Sequence, residues 1–330
     1  MRHDVSSRLA DGVPPRPLVF GHRGAPGYLP EHTLPSFELA IAQGADGVEV
    51  DVVASADGVP VIRHERELGG TTDVAARPEF AARRREGVVD GVARDGWFAE
   101  DFRWSELQTL RGRERLPGIR PRSAAHDGEA GLLRLADVAR LAVASDVTLV
   151  VELKEARRSA ELGLPLPELV LAELAEVPPG LRIVVESFEK SPLLALADAG
   201  VRWPLVYLLD ENGAAADERG DGGRTYAAEL AHPGGLGPFS GVSLPTSLIE
   251  ESRVDRFHDA GLSVWAWTLR PENRYLDAAF RRGTEPGDLG DWRRAWVRLL
   301  HTGLDAVFAD HPDLAIRARH AALAPPARGG

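Results

Sequence analysis

The stretch 47-GVEVDVVASADGVPVIRHE-65 decides how the strands of this chain are counted. It holds two apolar, β-branched runs, 47–53 and 59–64, joined by the short link around Asp57-Gly58. A helical crossover between parallel strands takes about a dozen residues or more, and this link is too short for one. Asp57-Gly58 is also a hairpin signal, since such pairs tolerate the positive φ that a tight turn needs. The second run is therefore read as the returning arm of a hairpin that rises from the first.

Working outward, the first run joins 17-PLVFGHRG, 147-VTLVVELK, 182-RIVVESF, 205-LVYLLD, 241-GVSLP, 262-LSVWAWT and 305-DAVFAD as strand candidates. Helical patterns lie between many of them: 35-PSFELAIAQG, 135-LADVARLAVAS, 168-ELVLAELAEV, 190-KSPLLALADAG and 249-IEESRVDRFHDAG. Strands alternating with helices, and apolar along most of their length, predict a parallel sheet covered on both faces. With the hairpin arm set aside the runs fill a TIM-like (β/α)8 barrel, an α/β fold. A doubly wound open sheet is the alternative. Residues 66 to about 131 interrupt the alternation. They are too long for an idle loop and are expected to form a small insertion subdomain, or cap, after the second-strand hairpin. The expected organisation is a disordered segment 1–16, a barrel over 17–316 and a tail over 317–330, with 211–239 a flexible excursion.

Composition narrows the function. The chain has 330 residues, 44% hydrophobic and 27% charged, the make-up of a soluble globular protein with a sizeable core. No segment approaches the roughly 18 uncharged apolar residues of a membrane helix, so no stable membrane insertion is expected. The N-terminus carries Arg2, Asp4, Arg8 and Asp11 without an apolar signal core, which gives a cytoplasmic expectation. Cysteine is absent, excluding disulfides, thiolate zinc sites and a cysteine nucleophile. A net charge of −11 argues against nucleic acid as a partner. An anionic small molecule remains possible if local cations or a metal hold it. Composition sets no oligomeric state.

Chemistry gathers at strand ends. His22 and Arg23 end the first strand, at the barrel end where active sites form, and pair a titratable imidazole with a phosphate clamp. Glu49 and Asp51 stand two apart and so point to one side of the second strand. Two carboxylates in a Val-rich run suit a hard divalent cation; the alternative is pairing with Arg or Lys. Glu152 ends the fourth strand candidate, with Lys154 two residues on, either as a third ligand or as a local ion pair. Carboxylate-only ligation favours Mg²⁺, Ca²⁺ or Mn²⁺ over zinc. His64, descending from the hairpin turn, returns toward Asp51, and two histidines beside a metal supply one base and one acid. Trp267 and Phe188 are candidates either for the mouth or for the core, and Ser187 for the mouth; Trp265 reads as core. The Arg runs at 83–85 and 111–122 read as a solvated face of the insertion. His32, His126, His232, His258, His301 and His311 receive no role.

Together these motifs resemble the glycerophosphodiester phosphodiesterase family. The matching residues are His22-Arg23-Gly24, Pro30-Glu31-His32-Thr33, Gly44 to Asp51, Asp57-Gly58 with His64, Glu152-Leu153-Lys154, Trp267-Thr268, Gly303-Leu304-Asp305 and Ala309-Asp310-His311-Pro312. The insertion, with Thr71-Thr72-Asp73-Val74 and Gly96-Trp97-Phe98, is similar to the bacterial periplasmic-type subgroup. Glu65 stands where the family usually has Asp, and Ala309 where Thr is common. The resemblance implies a phospholipase-C-like TIM barrel that hydrolyses small glycerophosphodiesters to sn-glycerol 3-phosphate and an alcohol. It further implies that Glu49, Asp51 and Glu152 bind Ca²⁺ or Mg²⁺, and that His22 and His64 are the acid/base pair, in either order. Arg23 and Lys154 would contact phosphate, with Glu31 supporting the site. A lysophospholipase D or phospholipid-cleaving lyase of the same fold would use the same residues, and a non-catalytic phosphodiester-binding protein could keep the pocket.

Overall fold

The computed structural model describes residues 16–89, 91–218 and 223–324. Strand β1 is Leu18–His22, β2 is Gly47–Ala54 and β3 is the short hairpin arm Pro60–Ile62. Strands β4 (Arg85–Val89) and β5 (Val92–Gly96) belong to the insertion. Then follow β6 (Thr148–Leu153), β7 (Arg182–Ser187), β8 (Leu205–Leu208), β9 (Gly241–Pro245), β10 (Ser263–Leu269) and β11 (Ala306–Ala309). Strands β2, β6, β7, β8, β9, β10, β11 and β1 pair in that order, all parallel, and β1 returns to β2. The sheet is closed, so the barrel holds and the open sheet is excluded. β3 runs antiparallel to β2 with Val53 opposite Val61, as the short link requires.

Period-two alternation divides the strands cleanly. Val48, Val50 and Val52, like Leu149, Val151 and Leu153, face the surrounding helices and join the large outer core. Leu18, Phe20, Val150, Val184, Val206, Trp265, Ala306 and Phe308 fill the barrel interior. Gly47 leaves room for that filling: a Cβ there would meet the Phe20 ring at 2.9 Å and the Thr148 carbonyl at 2.3 Å. One step further along the inward face, the residue type changes from apolar to charged. His22 follows Phe20, Glu152 follows Val150, Glu186 follows Val184 and Asp310 follows Phe308. The apolar floor thus carries a polar layer at the strand C-termini, which positions the site.

The insertion is a packed subdomain. Leu68, Val74, Phe80, Ala99, Phe102, Leu107 and Leu110 form their own core, seeded by Val53 and Val61 on the hairpin. Two expectations are corrected. Residues 317–323, expected as a tail, complete the helix Pro312–Leu323, where buried Arg319 bonds Asp46 and the Pro17 carbonyl. Within 211–239, the helix Tyr226–Ala231 is capped by Thr225 and packs Tyr226 and Leu230 into the outer core, so that part is not a loose excursion. The disorder expected for the first residues and the last six falls outside the described residues. Among the described residues no helix is long and apolar enough to cross a membrane.

Phe20 stacks on Trp265 at 5.2 Å and lies 5.7 Å from Phe308. Phe20→Ala is expected to cost about 3–5 kcal/mol, read from the urea midpoint, because the closed barrel cannot collapse onto the void. A loss under about 1 kcal/mol would show that the interior is not close-packed.

Candidate active site

The C-terminal ends of the barrel strands open into a cavity of about 850 Å³. His22, Arg23, Glu31, Glu49, His64, Glu152, Lys154, Phe188 and Trp267 all line it. Asp51, fully buried, lies directly beside them: one carboxylate oxygen each from Glu49, Asp51 and Glu152 come within 4.8 Å of one another. Strand register explains the convergence, since Asp51 pairs with Glu152 and His22 with Glu49. His64 reaches the same place because the Arg63 N–H donates to the Asp51 carbonyl at 3.0 Å, continuing the hairpin ladder one residue past β3.

The sharp turn after β1 completes the floor. Arg23 has φ 56° and Gly24 φ 94°, and a Cβ on Gly24 would meet Ser36 Oγ at 2.5 Å. This left-handed pair aims the Arg23 N–H at Glu49 Oε2, 2.8 Å away. Arg23 Nε lies 3.0 Å from Asp51 Oδ2, and its NH1 3.4 Å from Glu31. Lys154 Nζ meets Glu152 at 2.7 Å and Asp51 at 3.2 Å, so the local ion pair forms and extends across the cluster. Burial opposes the lysine's charge, but Asp51 and Glu152 outweigh it and raise its pKa.

A fourth carboxylate was not foreseen. Glu186 is in register with Glu152, is 2% exposed, and leaves Oε2 without a hydrogen bond. Its place in the apolar run 183-IVVESF carried the same signal as Glu49 and Asp51 did. Burial and the neighbouring Glu152 and Asp51 push Glu186 well above the usual range. Burial and Asp51 do the same to Glu49, and burial lifts Glu152 to about 8. When all four are ionised, Glu49, Asp51, Glu152 and Glu186 carry two more charges than Arg23 and Lys154 beside them supply. Glu49 Oε1 and both Asp51 oxygens also lack aligned hydrogen bonds. Oxygen-only donors with spare lone pairs and this charge deficit fit a hard divalent cation.

Both imidazoles are held through Nδ1. His22 Nδ1 is 2.6 Å from Asp310, and His64 Nδ1 is 2.7 Å from Glu65. Burial and then Arg23 push His22 down to about 4 and His64 to about 3, so each ring is neutral. A neutral ring donating from Nδ1 leaves the Nε2 lone pair for the cavity. His32, given no role from sequence, is buried with Nε2 3.3 Å from Asp51 Oδ2. His311 is also buried, edge-on to Tyr28 at 4.8 Å. Phe188 and Trp267 stand edge to face at 5.6 Å, forming an apolar wall, while Trp265 is core. The Arg run 111–122 is not a uniformly solvated face. Arg120 is 6% exposed, and both it and Arg115 line the cavity, where Arg115 bonds Glu31 and Glu65.

This geometry can be set beside known proteins. The model of the glycerophosphoryl diester phosphodiesterase family matches residues 22–314. The chain belongs to that family. Among relatives of the phosphodiesterase, a glycerophosphodiester phosphodiesterase of Arabidopsis thaliana is 27% identical, over 89% of this chain and 84% of its own length. One from Haemophilus influenzae is 43% identical over a shorter match, 28% of this chain and 23% of that protein. Among solved structures, a Silicibacter pomeroyi protein bearing the family's name superposes with a TM-score of 0.70 at 23% identity, covering 95% of this chain and 97% of that one. An Oleispira antarctica phosphodiesterase, solved with the product sn-glycerol-3-phosphate, gives 0.63 at 24% identity, covering 92% and 96%. At these identities the structural likeness speaks for the fold.

The raised carboxylates make cation affinity depend on pH in a defined direction. Glu152, lifted to about 8, holds a proton below that pH, and a cation must displace it. Binding of Mg²⁺, Ca²⁺ or Mn²⁺ should therefore tighten as pH rises through about 8 and release protons below it. Calorimetry in buffers of different ionisation enthalpy measures this. Affinity independent of pH, with no proton release, would contradict it.

Proposed function

We propose that this protein hydrolyses glycerophosphodiesters to sn-glycerol 3-phosphate and an alcohol, with a divalent cation held by Glu49, Asp51 and Glu152. The observation that carries the proposal is the convergence of three buried carboxylates, two cationic side chains and two carboxylate-anchored imidazoles on one cavity. Glu49, Asp51 and Glu152 would hold the cation, which would supply charge neutralisation for the non-bridging phosphate oxygens and make the attacking hydroxyl easier to deprotonate.

The chain's own residues account for orientation and proton transfer. Arg23 and Lys154 hold the phosphate by charge, Arg23 from a planar fork supported by Glu31. His22, neutral and fixed by Asp310, accepts the proton of the attacking hydroxyl at Nε2. His64 donates a proton to the departing alkoxide. Its free-state environment disfavours that proton, so Nε2 takes one up from solvent as the phosphodiester anion arrives beside it, with Glu65 on Nδ1 stabilising the imidazolium. The attacking oxygen is either the neighbouring glycerol hydroxyl, giving a cyclic phosphate that water then opens, or water itself. Both routes use the same two rings, and their protonation states are exchanged by the end of the first step.

Phe188 and Trp267 form an apolar wall for the glycerol carbons, with Lys154 Nζ 5.6 Å from the Phe188 ring centre. The outer rim is polar: Arg157, Arg158, Glu161, Asp210 and Asn212 line it. A water-soluble alcohol suits that rim better than a long acyl chain, which favours glycerophosphodiesters over lysophospholipids.

A coupled assay for sn-glycerol 3-phosphate release, run on glycerophosphocholine and lysophosphatidylcholine with and without chelator, tests the proposal. Release is expected from the first substrate and its loss on chelation. Glu49→Gln should lower kcat/KM on the order of 100-fold or more while leaving the circular dichroism spectrum unchanged. Wild-type turnover by that variant in chelator would remove the cation from the mechanism, and binding without product release would leave a phosphodiester-binding protein.

A further inference from the structure

Both imidazole anchors end on guanidinium groups supplied by one short segment of the insertion. Arg120 donates from Nε to Glu272 and from NH2 to Asp310 Oδ2, each at 2.6 Å, while Asp310 Oδ1 meets His22. Arg115 donates to Glu65 Oε1 at 2.5 Å and Oε2 at 2.6 Å, and Glu65 Oε1 meets His64. The same guanidinium grips both oxygens of Glu31, at 2.8 and 2.6 Å, and Glu31 lies under Arg23. The residues between the two arginines fold into a tight turn in which the Ile119 and Arg120 N–H groups both donate to the Leu116 carbonyl at 2.8 Å. Glu114 pins the turn's start through the Leu116 N–H and Ser123.

We propose that the 115–120 turn is a positioning strap: Arg120 sets the angle of the His22 ring through Asp310, and Arg115 sets that of His64 through Glu65. The inference rests on the phosphodiesterase reading for its catalytic consequence. A carboxylate that hydrogen-bonds one ring nitrogen through a single oxygen is free to rotate about its own bond. A planar guanidinium bonded to its other oxygen, or to both, removes that freedom. Asp310 also receives Arg270 Nε at 2.8 Å, so it is held from the barrel side as well as from the insertion. Glu65 receives its guanidinium from the insertion. The two charge chains leave opposite ends of one turn, so a shift of the insertion would move both rings together. Proton transfer at the barrel mouth is in this way tied to a subdomain whose own core lies under the hairpin.

The test uses the full-length protein labelled with ¹⁵N-histidine, with Arg115→Gln and Arg120→Gln compared against the wild type. Arg120→Gln, with Arg270 still on Asp310 Oδ2, should shift the downfield Nδ1 proton resonance of His22 and spare that of His64, while Arg115→Gln should shift or abolish that of His64 and spare that of His22. In the release assay kcat is expected to fall about 10- to 100-fold with KM within about threefold, as for misaimed rather than missing groups. If Arg120→Gln does not fold, Arg120→Lys keeps the buried charge without the fork and should show the same effects at smaller size. Unchanged resonances and unchanged kcat in the folded variants would overturn the strap while leaving the activity intact. If the wild type releases no sn-glycerol 3-phosphate but the resonances move as described, the substrate reading fails and the strap stands.

Discussion

Three buried carboxylates, one oxygen of each within 4.8 Å of the others, at the cavity end of the barrel are the electrostatic conflict around which the site is built. At an effective dielectric near 20, each such pair of full charges repels by about 3–4 kcal/mol. A fold of ordinary stability, about 5–15 kcal/mol, cannot carry that unrelieved. The protein relieves it in part with Lys154 and Arg23, and in part by keeping Glu49, Glu152 and Glu186 protonated when no cation is near. A divalent cation would displace those protons and take over the neutralisation. Substrate phosphate would meet Arg23, Lys154 and the bound cation rather than the charge of the whole chain, so a chain of net charge −11 can still receive an anion.

The imidazoles show the opposite use of burial. Desolvation and Arg23 keep them neutral, and a carboxylate on each Nδ1 fixes the tautomer. Asp310 is able to remain ionised in so buried a place because Arg270 and Arg120 outweigh the cost of burial and hold it well below the usual range. Glu31 is held down in the same manner by Arg115 and Arg23. Buried ion pairs seldom add stability, but they do specify geometry. The insertion is therefore part of the site's framework as well as a cover over one end of the barrel.

The barrel was legible because its strands obey two simple rules. Continuous apolar runs such as 147-VTLVVELK announce burial on both faces, and the short Asp57-Gly58 link identifies the extra arm. His22, His64 and Glu152 were legible as polar residues at the ends of those runs, and Glu49 and Asp51 as two carboxylates spaced i, i+2 within one. Arg115 and Arg120 were not, because an Arg-rich stretch without periodicity gives no sign of which guanidiniums turn inward; only the turn closed on Leu116 decides that. Glu186 carries the same signal in its strand, and His32 lies within the matched stretch Pro30-Glu31-His32-Thr33, but neither pattern says that the side chain turns toward Asp51 or Glu152. The helix Trp292–Leu300 lies in a stretch where no helix was read, after a long polar connection with three-residue turns at Asn273–Tyr275 and Ala278–Phe280. Residues 317–323 failed for the reverse reason. An Ala- and Pro-rich terminus looks dispensable until Arg319 is seen to close the first and last elements onto Asp46.

The most direct measurement is anomalous diffraction from crystals of the protein soaked in Mn²⁺. The account predicts a single strong peak bounded by carboxylate oxygens of Glu49, Asp51 and Glu152, with the His22 and His64 rings on either side of the cavity in front of it. A peak elsewhere, or none at those three carboxylates when the crystal is grown above pH 8, would contradict it.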